Sequence, residues 1–179
     1  LGLPETILDI ANAAVSAVNP HQAVLRHVSL DGSRLRAEGS VYDLDHFERV
    51  IVVGAGKASA PMAVAVEEIL GDRIACGVVV VKDGHSEKTR KIEVIEAGHP
   101  EPDGRGADGA RKLLDLASGA GPDTLMIALF SGGGSALLPL YADGVDLDDM
   151  QHLTHLLLRC GATINEIFSI SCRSRTVSG

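Results

Sequence analysis

Residues 49–59 read RVIVVGAGKAS, in which the β-branched run Val50-Ile51-Val52-Val53 is stopped by Gly54 and followed by a helical stretch from about Ala58 to Leu70. A strand without polar alternation is buried on both faces, which points to a parallel sheet covered by helices. The pattern recurs downstream. Gly77-Val78-Val79-Val80-Val81 and Ile92-Glu93-Val94-Ile95 are further runs, and the loop His99-Pro100-Glu101-Pro102 leads to a predicted helix from about Gly104 to Ala117. A fourth run follows at Leu125-Met126-Ile127-Ala128-Leu129-Phe130. Short apolar strands alternating with helices form βαβ units, so the expected fold is α/β: a doubly wound, mostly parallel, Rossmann-like sheet with helices on both faces.

Outward from this body, Pro4 to Val18 carries Ile7, Leu8, Ile10, Ala11, Ala14, Val15 and Val18 at spacings of three and four, the pattern of an amphipathic helix. Asn19-Pro20 reads as an N-cap with proline at the first helical position of a short second helix ending near Val28. Asp31-Gly32 is a hairpin signal, with Val41-Tyr42-Asp43-Leu44 as the returning strand. Toward the other end, a helix from about Asp148 to Arg159 shows Met150, Leu153, Leu156 and Leu157 on one face, and Gly161 is placed to end it.

The 179 residues suit one globular unit, and 45% hydrophobic residues with 22% charged exclude disorder for most of the chain. Lys and Arg number 16 against 24 Asp and Glu; a net charge of −8 argues against nucleic acid as a partner. Cys76, Cys160 and Cys172 form no CxxC pair, so neither a disulfide scaffold nor a thiolate metal site is read, and no metal ligands are assigned. The start lacks the basic region of a signal peptide, and the uncharged stretch Thr124 to Ala142 is broken by three glycines and Pro139, so no membrane partner is read. A reduced, cytoplasmic setting is the expectation; homo-oligomerisation stays open.

In open parallel sheets ligands bind beyond the carboxyl ends of the strands. After the first strand come Gly54-Ala55-Gly56-Lys57, where the glycines either bring backbone N–H groups to an anion or only make a tight turn, and Lys57 either meets a phosphate or carboxylate or is a solvated surface residue. A Walker A loop is excluded because Ile51 and Ala58 stand where a glycine and Ser or Thr are required. A dinucleotide fingerprint lacks its acid near Cys76 to Val79; the first is Asp83. After the fourth strand come Ser131-Gly132-Gly133-Gly134-Ser135, whose consecutive glycines are costly in entropy and suit phosphate binding by backbone N–H groups and two hydroxyls. A flexible linker is the alternative. His85 and His99 each follow a strand and are weaker candidates for catalysis or ligation. Asp103 reads as a helix cap, and the acidic run Asp143 to Asp149 as capping and solvation rather than a calcium loop.

The ordered set VVGAGKAS, GVVVVKDGH, IEVIEAGHPEPD, FSGGGSALL and LLRCGATINEI, across residues 4–167, resembles the N-terminal half of the type-2 glycerate kinases, the family whose second half holds the MOFRL domain. The resemblance implies phosphoryl transfer from ATP, with Mg2+, to the 2-hydroxyl of D-glycerate. It implies a catalytic role for Lys57 and matches Ser131, Gly132, Gly133, Gly134 and Ser135 to the family's glycine-rich phosphate region; Gly54 and Gly56, from the reading of their loop, are grouped with them as candidate phosphate contacts. Phosphoryl transfer depends on positioning and charge stabilisation, which anion cradles and a lysine supply. An NAD(P)H-dependent hydroxypyruvate reductase and a non-catalytic anion-binding or nucleotide-binding domain are the competing possibilities.

Residues 1–167 are therefore expected to be one Rossmann-like domain. The resemblance ends there: residues 168–179, FSISCRSRTVSG, depart from the family's continuation and read as a shifted frame or a truncation.

Overall fold

The computed structural model describes residues 2–141, 144–163 and 165–166, with side chains from residue 6 onward. The expected aberrant tail 168–179, including Cys172, and Asp143 of the acidic run lie outside the described residues.

The chain opens with α1 (Gly2–Ala17) and α2 (Pro20–His27), the second capped by the Asn19 side chain accepting from the Gln22 N–H at 3.0 Å. An antiparallel meander follows: β1 (Val28–Asp31), β2 (Arg34–Ala37) and β3 (Ser40–Asp43). The hairpin at Asp31-Gly32 is present, but its returning strand is Arg34–Ala37; the expected partner, Val41 to Asp43, comes back one turn later against β2, and Leu44 opens a 3-10 turn. Gly39, at φ 80°, makes that second turn, which the sequence pattern did not reveal.

The central sheet contains β4 (Arg49–Ala55), β5 (Ile74–Lys82), β6 (Ile92–Ala97) and β7 (Thr124–Phe130) in the order β6-β5-β4-β7, with every neighbouring pair parallel. This is the expected doubly wound α/β arrangement, with β4 inside and connections leading to both sides. On one face α3 (Ser59–Leu70) lays Ala60, Ala63, Val66 and Leu70 against Val50, Val52, Val79 and Val81. The opposite face carries α4 (Gly104–Ser118) and the single turn α5 (Gly134–Leu137), with Ala55, Val80, Ala97 and Leu137 clustered there. Val52, Val79, Val80 and Val81 have no exposed surface; burial of each such side chain contributes about 1.5–3 kcal/mol. α4 approaches the sheet closely because Gly109 faces Val80: a Cβ there would stand 2.6 Å from Val80 Cγ2.

The β5–β6 connection contains no helix. Residues 83–91 return from Lys82 to the level of Gly77, which pairs with Ile92, and the loop is fastened by Glu67 of α3. The buried Glu67 carboxylate accepts from the backbone N–H groups of Arg90 (2.8 Å), Lys91 (2.7 Å) and Ile92 (2.9 Å). A side chain in the middle of one helix thus sets where the next strand begins.

α6 (Leu147–Arg159) is closed at both ends as its sequence suggests. Asp146 and Asp149 form a reciprocal capping box, and Gly161, at φ 74°, ends the helix with Gly161 N–H on Leu158 O and Ala162 N–H on Leu157 O. The amphipathic pattern of the first segment does produce a helix, but its apolar residues are not buried: Ile7, Leu8, Ile10 and Val15 are all more than 60% exposed. No helix among the described residues is long and apolar enough to cross a membrane.

Candidate functional site

Four loops meet at the carboxyl edge of the central sheet. The loops after β4 and β7 are stitched together by hydrogen bonds that use most of their inward-facing donors. Gly56 N–H donates to Val80 O at 3.0 Å, Lys57 N–H to Gly132 O at 3.1 Å, and Ala58 N–H to Ser131 Oγ at 3.0 Å. Ser131 N–H returns to Ala55 O at 3.0 Å, and the buried Ser59 hydroxyl donates to Leu129 O at 2.9 Å.

Gly54 and Gly56 are glycines because of this stitching. A Cβ on Gly54 would run into Leu129 O; one on Gly56, which has φ 136°, would meet Ser131 Oγ and stand 2.6 Å from Ser131 O. Of the two readings of these glycines, the geometry favours the tight turn: their N–H groups are engaged inside the protein, and the loop presents the exposed Lys57 side chain outward. The Ser131–Ser135 loop is different. Among the described residues the N–H groups of Gly132 and Gly133 have no acceptor, and Ser135 is exposed.

The loop after β5 brings in His85, whose Nδ1 lies 3.1 Å from Lys57 O. A carbonyl only accepts, so Nδ1 is the donor in this contact. The loop after β6 brings in His99, half-buried, with its ring against Gly133. A Cβ at Gly133 would be 3.0 Å from His99 Nε2 and 3.5 Å from Lys57 Cε. Burial pushes the His99 ring below the ordinary histidine value, and the neighbouring charges of Lys57, Lys82 and His85 push in the same direction. Sequence reasoning ranked both histidines low; the topology that places β5 and β6 beside β4 brings them to Lys57.

Arg105, at the start of α4, holds the two histidine loops in relation to one another. Its guanidinium reaches Asp83 through Nη1 at 2.7 Å and Nη2 at 2.9 Å, and Asp103 through Nη2 at 2.6 Å. Hydrogen bonding by Arg105 holds the Asp83 carboxyl below its usual range. Burial raises Asp103, but the Gly106 N–H, Arg105 and the Gly98 N–H outweigh it and leave that carboxyl low as well. The expected helix cap is present, with Asp103 Oδ1 accepting from Gly106 N–H at 3.1 Å while Oδ2 accepts from Gly98 N–H at 3.0 Å. Asp103 thus fixes the residue before His99.

Three carboxylates at this edge are engaged, Asp83 and Asp103 by Arg105 and Glu96 by Gly84 N–H at 2.6 Å, while Glu101 in the loop after β6 is exposed. Among the described residues no cluster of three His, Cys, Asp or Glu side chains could hold a metal. The donor set does not fit a protein-held divalent cation. It fits anionic oxygens, through the exposed Lys57 ammonium and the N–H groups of Gly132 and Gly133.

The family model of a domain of unknown function, DUF4147, matches residues 6–177. A Pyrococcus horikoshii protein named glycerate 2-kinase is 35% identical over 179 residues, which is 100% of this chain and 40% of that protein. D-glycerate 2-kinase of Thermotoga maritima is 37% identical over 181 residues, 99% of this chain and 39% of its own. An Agrobacterium vitis protein provisionally named a hydroxypyruvate reductase is 41% identical over 131 residues, 73% of this chain and 34% of its own. Among solved structures, a Pyrococcus horikoshii protein superposes with a TM-score of 0.80 at 36% identity, and Thermotoga maritima glycerate kinase with 0.73 at 37%. Each superposition covers 93% of this chain and 37% of the solved one. The chain thus spans between 34% and 40% of the length of the curated relatives just named. With the family model matched over residues 6–177 and a shared fold at 36–37% identity, the chain belongs to the DUF4147 family, the N-terminal domain of the glycerate 2-kinases.

Proposed function

We propose that this chain forms one wall of a cytoplasmic small-molecule kinase that transfers a phosphoryl group from ATP to the 2-hydroxyl of D-glycerate, giving 2-phosphoglycerate. The supporting observation is the convergence of the exposed Lys57, His85, His99 and the Ser131–Ser135 loop on one patch. Lys57 offsets charge on the transferred group, and the Gly132 and Gly133 N–H groups receive phosphate oxygens. Mg2+ would arrive on the nucleotide's phosphates, since Asp83, Asp103 and Glu96 are engaged within the protein. The reductase alternative is less well served: the N–H groups of the first glycine loop that would cradle a dinucleotide are bonded internally, and Asp83 is held by Arg105 rather than offered to a ribose.

The test is glycerate-dependent ADP release by the chain, alone and mixed with the part of the Thermotoga maritima relative that it does not span. Release without oxidation of NADH or NADPH supports the kinase, and Lys57→Ala should lower the rate about 100-fold or more. Hydroxypyruvate-dependent oxidation of the nicotinamide instead would assign the reductase. Nucleotide binding without turnover in either form would assign a non-catalytic domain.

A further inference from the structure

We propose that His85 is a positioning residue for Lys57: its Nδ1–H holds the Lys57 carbonyl and so fixes the direction in which the lysine side chain leaves the loop. The role rests on the kinase assignment above, in which Lys57 offsets charge on the transferred group.

The need for such a partner begins in the sequence. Lys57 lies just ahead of α3, and the residue four positions on, whose N–H would close a helical turn on the Lys57 carbonyl, is Pro61. Proline has no N–H to give, so the first helical bond starts one residue later, from Met62 N–H to Ala58 O at 3.2 Å. The Lys57 carbonyl is left outside the helical ladder and takes its donor from another strand's loop.

That donor completes a grip on both peptide groups beside the Lys57 Cα. The peptide before it is held by Lys57 N–H on Gly132 O at 3.1 Å. The peptide after it is held at both ends, with Ala58 N–H on Ser131 Oγ at 3.0 Å and Lys57 O 3.1 Å from His85 Nδ1. Gly132 and Ser131 belong to the loop after β7 and His85 to the loop after β5, on opposite sides of β4. Two neighbouring strands thus fix the planes from which the Lys57 side chain projects.

The loop that carries His85 is anchored in its turn. Asp83 N–H donates to Ala97 O at 3.2 Å, Gly84 N–H to Glu96 Oε1 at 2.6 Å and His85 N–H to Lys82 O at 3.0 Å, while the Asp83 carboxylate takes two bonds from Arg105. The ring itself is exposed, so its bond to Lys57 adds little to overall stability and acts on the placement of one charged side chain.

The experiment compares His85→Asn, His85→Gln and His85→Ala in the glycerate-dependent ADP assay, each alone and mixed with the part of the Thermotoga maritima relative that this chain does not span. The amide N–H of asparagine stands near the place of Nδ1–H and that of glutamine near Nε2, which separates a bond to Lys57 O from a contact made by the outer edge of the ring. Expected for His85→Ala and His85→Gln is a fall in kcat of about tenfold or more with KM within about threefold of the parent, and for His85→Asn recovery to within about threefold of the parent. Melting temperatures of all three should stay within about 3 °C of the parent. Independently of turnover, 15N spectra of the neutral His85 ring in the parent chain should show its proton on Nδ1. An unchanged kcat in His85→Ala, a loss in His85→Asn as large as in His85→Ala, better recovery by glutamine than by asparagine, or a neutral ring protonated on Nε2 would overturn the role of His85 and leave the kinase assignment standing. Absence of glycerate-dependent ADP release from the parent would overturn the kinase assignment, and this role with it.

Discussion

Glu67 shows how much of this fold hangs on single side chains. Its buried carboxylate accepts from three consecutive backbone N–H groups, so Glu67→Ala leaves those donors without a partner in a partly dry site. The expected loss is about 2–4 kcal/mol of unfolding free energy, with Glu67→Gln losing roughly half as much because one carbonyl oxygen remains to accept; urea denaturation checks both values. Gly133 makes the complementary case, in which an added atom does the damage. Gly133→Ala imposes a side chain at φ 94° and pushes it against the His99 ring. Loss of glycerate-dependent ADP release with only a small change in melting temperature is expected, because the strain falls on a loop at the edge of the sheet rather than in the core.

At the scale of elements, Arg105 is a clasp between the loops after β5 and β6, and its contribution depends on pH. Asp83 and Asp103 both have folded-state pKa values below the ordinary 3.8, so the stability that Arg105 gives them is present above about pH 4 and is lost as pH falls through their depressed folded values. Arg105→Ala should therefore unfold more easily than the parent at pH 7, with the difference closing as pH falls through the depressed folded values of Asp83 and Asp103; circular dichroism melts across pH measure this. Much at this scale was legible in the sequence, since it depends on local chemistry. Four short runs, three of them continuously apolar, marked the parallel strands, and Asn19 and Asp103 announced helix starts through side chains that cap within three residues. What escaped was non-local. Glu67 meets residues 90–92, Arg105 meets Asp83, and His85 and His99 come to Lys57 only when β5 and β6 add beside β4. Gly54 and Gly56 matched a cradle in composition, but their N–H groups are taken by Val80 O and the strand ladder, which no spacing reveals.

For the molecule as a whole, exposed apolar side chains are concentrated on α1, where Ile7, Leu8, Ile10 and Val15 stand in solvent, with Ile10 65% exposed. Ile10→Glu should accordingly leave unfolding free energy within about 0.5 kcal/mol of the parent while lowering the fluorescence of a bound hydrophobic dye; a larger loss would mean that α1 is packed in solution. The helix-free passage from β5 to β6 also has a kinetic reading. Residues 83–91 have no turn of helix to form on their own, so β6 joins the sheet only once α3 presents Glu67. The amide protons of Arg90, Lys91 and Ile92 should then exchange with solvent in step with those of α3, making that one carboxylate the point at which the assembly order of the sheet is written into the chain.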